Sequence, residues 1–164
     1  MNEGYWYTSI GTSAAAAYNP IWASYLQNLY MPSEVVIFRL LPRNPDDRQI
    51  RKLHRTYDEF IRWLERFRNE IKKDISIHPI ECIEEDYNSY DKTFINTLKS
   101  HSDKSRAIDI TPGRKYASAR GMAFGITEKV EHIFYLHLHD NAYLETPLPE
   151  IPMMKWTLQD FGRR

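Results

Sequence analysis

The sequence predicts a doubly wound α/β fold, a three-layer sandwich with a mainly parallel central sheet of about six strands. Three observations carry that prediction. Short aromatic and β-branched runs alternate along the chain with longer segments of helical period. Residues 35–41 are apolar nearly throughout, interrupted by Arg39, as in a strand covered on both faces. The stretch Asp109-Ile110-Thr111-Pro112-Gly113-Arg114-Lys115-Tyr116-Ala117-Ser118 stands where a strand hands over to a helix, the position at which such sheets bind ligands.

Residues 5–10 form the first strand and break into Gly11-Thr12-Ser13 and four alanines, a tight loop. Asn19-Pro20 reads as a helix start, with Asn as N-cap and Pro at the first helical position. Ile21, Trp22, Tyr25, Leu26 and Leu29 follow at helical spacing, and the helix is expected to end near Met31-Pro32. After the strand at 35–41, residues 42–45 turn the chain, and Asp46-Asp47 places negative charge at the start of a long helix. Leu53, Tyr57, Phe60, Leu64, Phe67 and Ile71 give that helix one apolar stripe. Its other face carries Arg48, Arg51, Lys52, Arg55, Arg62, Arg66 and Arg68; the interspersed Asp58, Glu59, Glu65 and Glu70 favour a solvated face over a nucleic-acid surface.

Residues 75–83 read as a third strand, irregular at Pro79, with Glu84-Glu85-Asp86 at its C-terminal end. Ser89 or Asp91 is expected to cap a helix through Phe94, Ile95 and Leu98, and residues 106–110 form the fourth strand. Beyond the turn, Ala117, Ala119, Gly121, Ala123 and Gly125 form a face that lets backbones approach closely, against the sheet or a partner subunit. Residues 130–138 supply a fifth strand and residues 153–161 a sixth at the edge.

One domain over residues 1–164 is expected from the length. Balanced charge, 22 basic against 22 acidic residues, argues against a surface for long nucleic acid or anionic membrane and leaves room for a small polyanion in a local basic pocket. Cys82, the one cysteine, excludes an internal disulfide framework and reads as a buried hydrophobe. The N-terminus lacks the basic start and apolar core of a signal peptide, and no apolar run is long enough to cross a bilayer, so a cytoplasmic protein is expected. Four Trp and eleven Tyr suit a dimer interface or a base-stacking pocket.

In a doubly wound sheet the first strand is central and the fourth lies beside it, so the loops after both converge at the switch in strand order. Gly113 permits a close backbone approach or a positive φ, the amides of a helix N-terminus point outward, and Arg114 and Lys115 add charge; these features suit a phosphate. Gly11 has no glycine partners, which excludes a dinucleotide fingerprint, and Gly113-Arg114-Lys115 lacks the upstream glycine of a P-loop. His137 and His139, two apart on a strand with Asp140 next, are either a metal or general-base candidate or ordinary polar strand-end positions.

The strand followed by Gly11-Thr12-Ser13, taken with Asp-Ile-Thr-Pro-Gly-Arg-Lys after the fourth strand, resembles the CARF domains, CRISPR-associated Rossmann-like sensors of cyclic oligoadenylates. The resemblance spans nearly the whole chain in element order. Two positions depart from the family: Pro112 stands where a small residue or glycine is frequent, and Ala14 where proline is common. It implies a homodimer whose two-fold axis passes through a ring of four or six adenylates. The implied ligand-binding residues are Gly11, Thr12, Ser13, Asn19, Thr111, Pro112, Gly113, Arg114, Lys115 and Ser118, with Lys115, Arg114 and the amides near Gly113 on phosphates. Thr12, Ser13 and the Asn19 helix start would flank ribose and adenine, and Tyr18, Trp22 or Tyr116 would stack on bases.

A compact member with no effector after residue 164 resembles ring nucleases, in which the ribose 2′-hydroxyl attacks the adjacent phosphorus without a metal or cofactor. Lys115 and Arg114 would then stabilise charge, and Ser13 or Thr12 would orient the 2′-hydroxyl or a phosphate oxygen. The alternatives are a non-catalytic sensor or sponge, or the sensor domain of a longer effector.

Overall fold

The computed structural model describes residues 3–162. The first two residues of the N-terminal reading, and Arg164, where the expected domain closes, lie outside them. Six strands, β1 (Glu3–Ile10), β2 (Met31–Leu41), β3 (Ser76–Ile83), β4 (Ser105–Asp109), β5 (His132–Leu138) and β6 (Trp156–Asp160), form one sheet in the order β3-β2-β1-β4-β5-β6. The first five run parallel, and β6 closes the β5 edge antiparallel. The helices are α1 (Ala14–Leu26), α2 (Asp47–Ile71), α3 (Tyr87–Ser100) and α4 (Lys115–Thr127). The six-stranded, mainly parallel Rossmann-like sandwich expected from the sequence is observed.

Side chains that alternate along each strand build two cores. Trp6, Val35, Ile37, Ala107 and Phe134 pack toward α1 and α2, while Tyr7, Val36, Phe38 and Ile108 pack toward α3 and α4. A central strand with both faces covered has no polar alternation to keep. That is why residues 35–41, apart from Arg39, read as apolar.

Helix α1 begins at Ala14, not at Asn19-Pro20. The Ser13 hydroxyl caps it by accepting from the Ala16 amide at 3.2 Å, and the four alanines behind it are the strongest helix formers. Pro20 sits inside the helix and forgoes one backbone bond. Asn19 is buried, its Nδ2 donating to the Thr146 carbonyl at 2.9 Å and its Oδ1 accepting from the Leu148 amide at 2.8 Å. It clamps the 3-10 segment Leu148–Glu150 onto α1. Met31-Pro32 does not close this helix; it opens β2, with Pro32 paired to Gly4 beside a register shift at Gly4/Tyr5, a strand start where proline is tolerated.

Helix α2 starts as expected, with a capping box in which Asp46 accepts from the Gln49 amide at 2.7 Å and Gln49 Oε1 from the Asp46 amide at 2.9 Å. Phe60, Leu64 and Phe67 of its stripe are buried. Helix α3 is capped by Asp86, which accepts from the Ser89 amide at 3.0 Å, and not by Ser89 or Asp91. Asp91 instead holds Arg120 of α4 at 2.7 Å. The small face of α4 serves the sheet: a Cβ on Gly125 would meet Ile133 Cδ1 at 2.6 Å, and one on Gly121 would meet Ile110 Cγ2 at 3.1 Å. Among the described residues no helix is long and apolar enough to cross a membrane.

Candidate functional site

The C-terminal ends of β1, β2 and β4 open onto one crevice of about 580 Å³. Gly11, Thr12 and Ser13 line one side, Thr111, Pro112, Gly113 and Arg114 the other, and Leu40 and Pro42 are apolar surface between them. The two loops singled out in the sequence therefore meet. Gln49, Lys52 and Leu53 from the first turns of α2 and Glu84 from the end of β3 complete the wall. None of these four was identified as a site residue from the sequence. Glu84 had one available signal, its position at the C-terminal end of a parallel strand.

The β4–α4 turn is fixed from beneath. Asp109, at the end of β4, is buried; its Oδ2 accepts from the Thr8 hydroxyl at 2.9 Å and its Oδ1 from the Thr111 amide at 2.9 Å. Burial pushes its carboxyl from 3.8 up to about 7, against the opposing pull of those donors. The Thr111 hydroxyl accepts from the Leu136 amide at 2.8 Å, pinning the turn to β5. The Pro112 carbonyl accepts from Ser9 at 3.3 Å and from Ser118 at 3.4 Å. Gly113 takes φ +91, and a Cβ there would stand 2.5 Å from the Ser9 hydroxyl, so glycine is required. At Gly11 an added Cβ would meet nothing within 4 Å, so that glycine leaves space instead of relieving strain.

Arg114 is the N-cap of α4 and makes no side-chain cap hydrogen bond. The first-turn amides of α4 have no intrahelical acceptor and carry the positive end of the helix dipole. The guanidinium of Arg114, largely exposed, pairs with Glu84, which is mostly buried. Lys115 does not line the crevice. It borders an adjoining chamber of about 570 Å³ that shares Leu40, Glu84, Gly113 and Arg114 with the crevice and adds Tyr87, Tyr90 and Tyr116. Tyr116 lies against Tyr87, ring centroids 4.2 Å apart.

Other expected residues fall elsewhere. Asn19 neither starts a helix nor lines the crevice; both ends of its amide are taken up by the backbone at Thr146 and Leu148. Ser118 holds the Pro112 carbonyl and lies beside the crevice, not on it. Tyr18 and Trp22 are core, against Trp63 and Phe67. His137 and His139 are exposed, their rings 5.1 Å apart, with His139 Nε2 2.7 Å from the Thr157 hydroxyl. Among the described residues no group of three or more His, Cys, Asp or Glu is placed to hold a metal.

No family model matches the sequence, and no curated protein matches it. Among solved structures, Can2 from Sulfobacillus thermosulfidooxidans in complex with cyclic tetra-adenylate superposes with a TM-score of 0.52 at 11% identity. The two chains share a fold. The match covers 80% of this chain and 31% of that one, so the present sequence spans about a third of the Can2 length. The Rossmann-like α/β arrangement expected from the sequence is thus shown at the level of the backbone.

Proposed function

We propose that the crevice binds a cyclic oligoadenylate, the tetramer or the hexamer, across the two-fold axis of a homodimer, and that the chain slowly cleaves it. The observation that carries this reading is the meeting of an uncapped helix N-terminus with the Gly11-Thr12-Ser13 loop on one crevice edged by cations. The fold shared with Can2, a protein solved with cyclic tetra-adenylate bound, supports the ligand class. A ring of identical adenylates can itself possess two-fold symmetry, so two copies of one crevice suit it.

Cleavage needs few groups. The 2′-oxygen forms a bond to phosphorus, the bond to the 5′-oxygen breaks, and the 2′-hydroxyl proton ends on the 5′-oxygen, giving a linear 2′,3′-cyclic phosphate. Lys115, with Arg114 released from Glu84, would stabilise charge on the phosphoryl oxygens. Ser13 accepts from Ala16 through a lone pair, so its own proton remains for a ribose or phosphate oxygen. Positioning supplies most of the effect, and turnover is slow.

A second reading, binding without cleavage, is favoured by two observations: Lys115 borders the adjoining chamber, and Arg114 is already paired. Incubation with cyclic tri-, tetra- and hexa-adenylate in EDTA, followed by chromatography, separates the readings. A linear 2′,3′-cyclic phosphate, lost in Lys115→Ala, supports cleavage. One ring retained intact makes the protein a binder, and retention of none overturns both.

A further inference from the structure

From Arg48 to Arg62, α2 crowds cations along one exposed face. Arg48, Arg51, Lys52, Arg55 and Arg62 are all exposed and stand at spacings that place like charges side by side along one helix face. Arg48 and Arg51 also lie near the positive end of the helix, where cations are disfavoured. Neighbouring acids ordinarily relieve such crowding. Here they do not: among the described residues none of the five cations forms an ion pair, whereas Arg68, at the other end of the same helix, pairs with Asp74. Asp58 borders the same surface without pairing. The face is open to solvent, as the sequence predicts, while its acids stand outside ion-pair distance of these five cations.

Two shallow grooves run between these side chains, of about 500 and 520 Å³; Arg48, Arg51, Lys52 and Arg55 line the first, and the second adds the His54 imidazole and Asp58. The first groove, the one that continues into the crevice, offers charge with no ring to stack on, which suits phosphate groups better than bases. Lys52 lines both the first groove and the crevice, so the cationic surface leads into the site. Since the whole chain carries no net charge, the attraction is local to this ridge and its crevice.

We infer that the α2 ridge is a capture surface for the phosphodiester ligand of the crevice, raising its rate of encounter and delivering it past Lys52. The inference rests on the oligoadenylate reading of the crevice. Charges that act during encounter change association and its salt dependence, while charges in the bound contact change dissociation. Lys52, as part of the crevice wall, is left intact in the test.

The experiment is stopped-flow binding of cyclic tetra- and hexa-adenylate to the wild type and to the triple variant Arg48→Gln, Arg51→Gln, Arg55→Gln, from low to high salt. We expect association at low salt to fall about 10-fold or more, with dissociation changed less than about 2-fold and the salt dependence flattened. The variant should melt at or above the wild-type temperature, because repulsion is removed. An unchanged association rate overturns the inference, as does a loss confined to dissociation, or a lowered melting temperature. If the wild type binds neither ring, the oligoadenylate reading falls with it, and that failure is visible before any substitution is made.

Discussion

The turns after β1 and β4 face each other across one crevice and are built in opposite ways. The first closes its helix with its own side chain, Ser13 on the Ala16 amide, and its glycine has open space around it. The second leaves its helix uncapped, forces Gly113 into positive φ, and is held from below by Asp109, Ser9 and Ser118. A satisfied turn is a wall, whereas an unsatisfied turn that the fold holds in place is a receptor. Orphan amides persist in a rigid turn only at a cost, which a bound anion would offset.

The largest test of that difference lies in Asp109. Its folded carboxyl titrates near 7 against 3.8 for an ordinary aspartate, so the folded state holds a proton that the unfolded chain has already lost. Its contribution is fully present below the ordinary value and disappears as pH rises through about 7. Between those limits stability should fall with pH by up to about 1.4 kcal/mol per unit. Asp109→Asn should flatten this dependence in denaturant titrations; a slope unchanged in the variant would assign it to another group. No such slope is expected from the first turn, which buries no carboxyl.

Glycine substitution sharpens the contrast. Gly113→Ala meets both the positive φ and the Ser9 hydroxyl, and should cost on the order of 1–3 kcal/mol and abolish tight ligand binding. Gly11→Ala has room for its methyl group, so stability should stay within about 0.5 kcal/mol. Equal costs in thermal unfolding would remove the distinction between the turns.

The cap comes next in size. Ser13→Ala should cost about 1 kcal/mol through the lost hydrogen bond to Ala16. Ser13→Asp, which caps equally well, should restore stability while repelling a phosphate. Recovery of both stability and affinity in the aspartate variant would mean that Ser13 does nothing beyond capping.

Much of this was legible in the sequence. Strand order and the convergence of the two loops follow from the alternation of elements and the topology of doubly wound sheets, and the long stripe of α2 was legible because 25 residues repeat one period. Helix starts were less so. Asn19-Pro20 has the chemistry of a cap, but Ser13 followed by alanines is an equally good local signal, and tertiary packing decided between them by giving Asn19 a partner at Leu148. Lys52, Gln49 and Glu84 were missed as crevice residues because the approach of α2 and β3 to the crevice is a long-range fact. Asp109 stood inside the central motif, yet no local pattern tells whether a carboxylate at a strand end points into the core or to solvent.

The smallest expected effect concerns Glu84. It occupies the guanidinium of Arg114, so the cation that flanks the open helix terminus is partly spent within the protein. Glu84→Gln keeps the shape and removes the competing charge. Since Arg114 is largely exposed, its ion pair is worth at most about 1 kcal/mol. Freed, Arg114 should therefore tighten binding of cyclic tetra-adenylate by no more than about 5-fold at low salt, an advantage that fades as salt screens it. Isothermal titration at two salt concentrations measures both numbers. Weaker binding in Glu84→Gln at both concentrations would show that the carboxylate itself touches the ligand, and would move it from restraining Arg114 to the recognition surface.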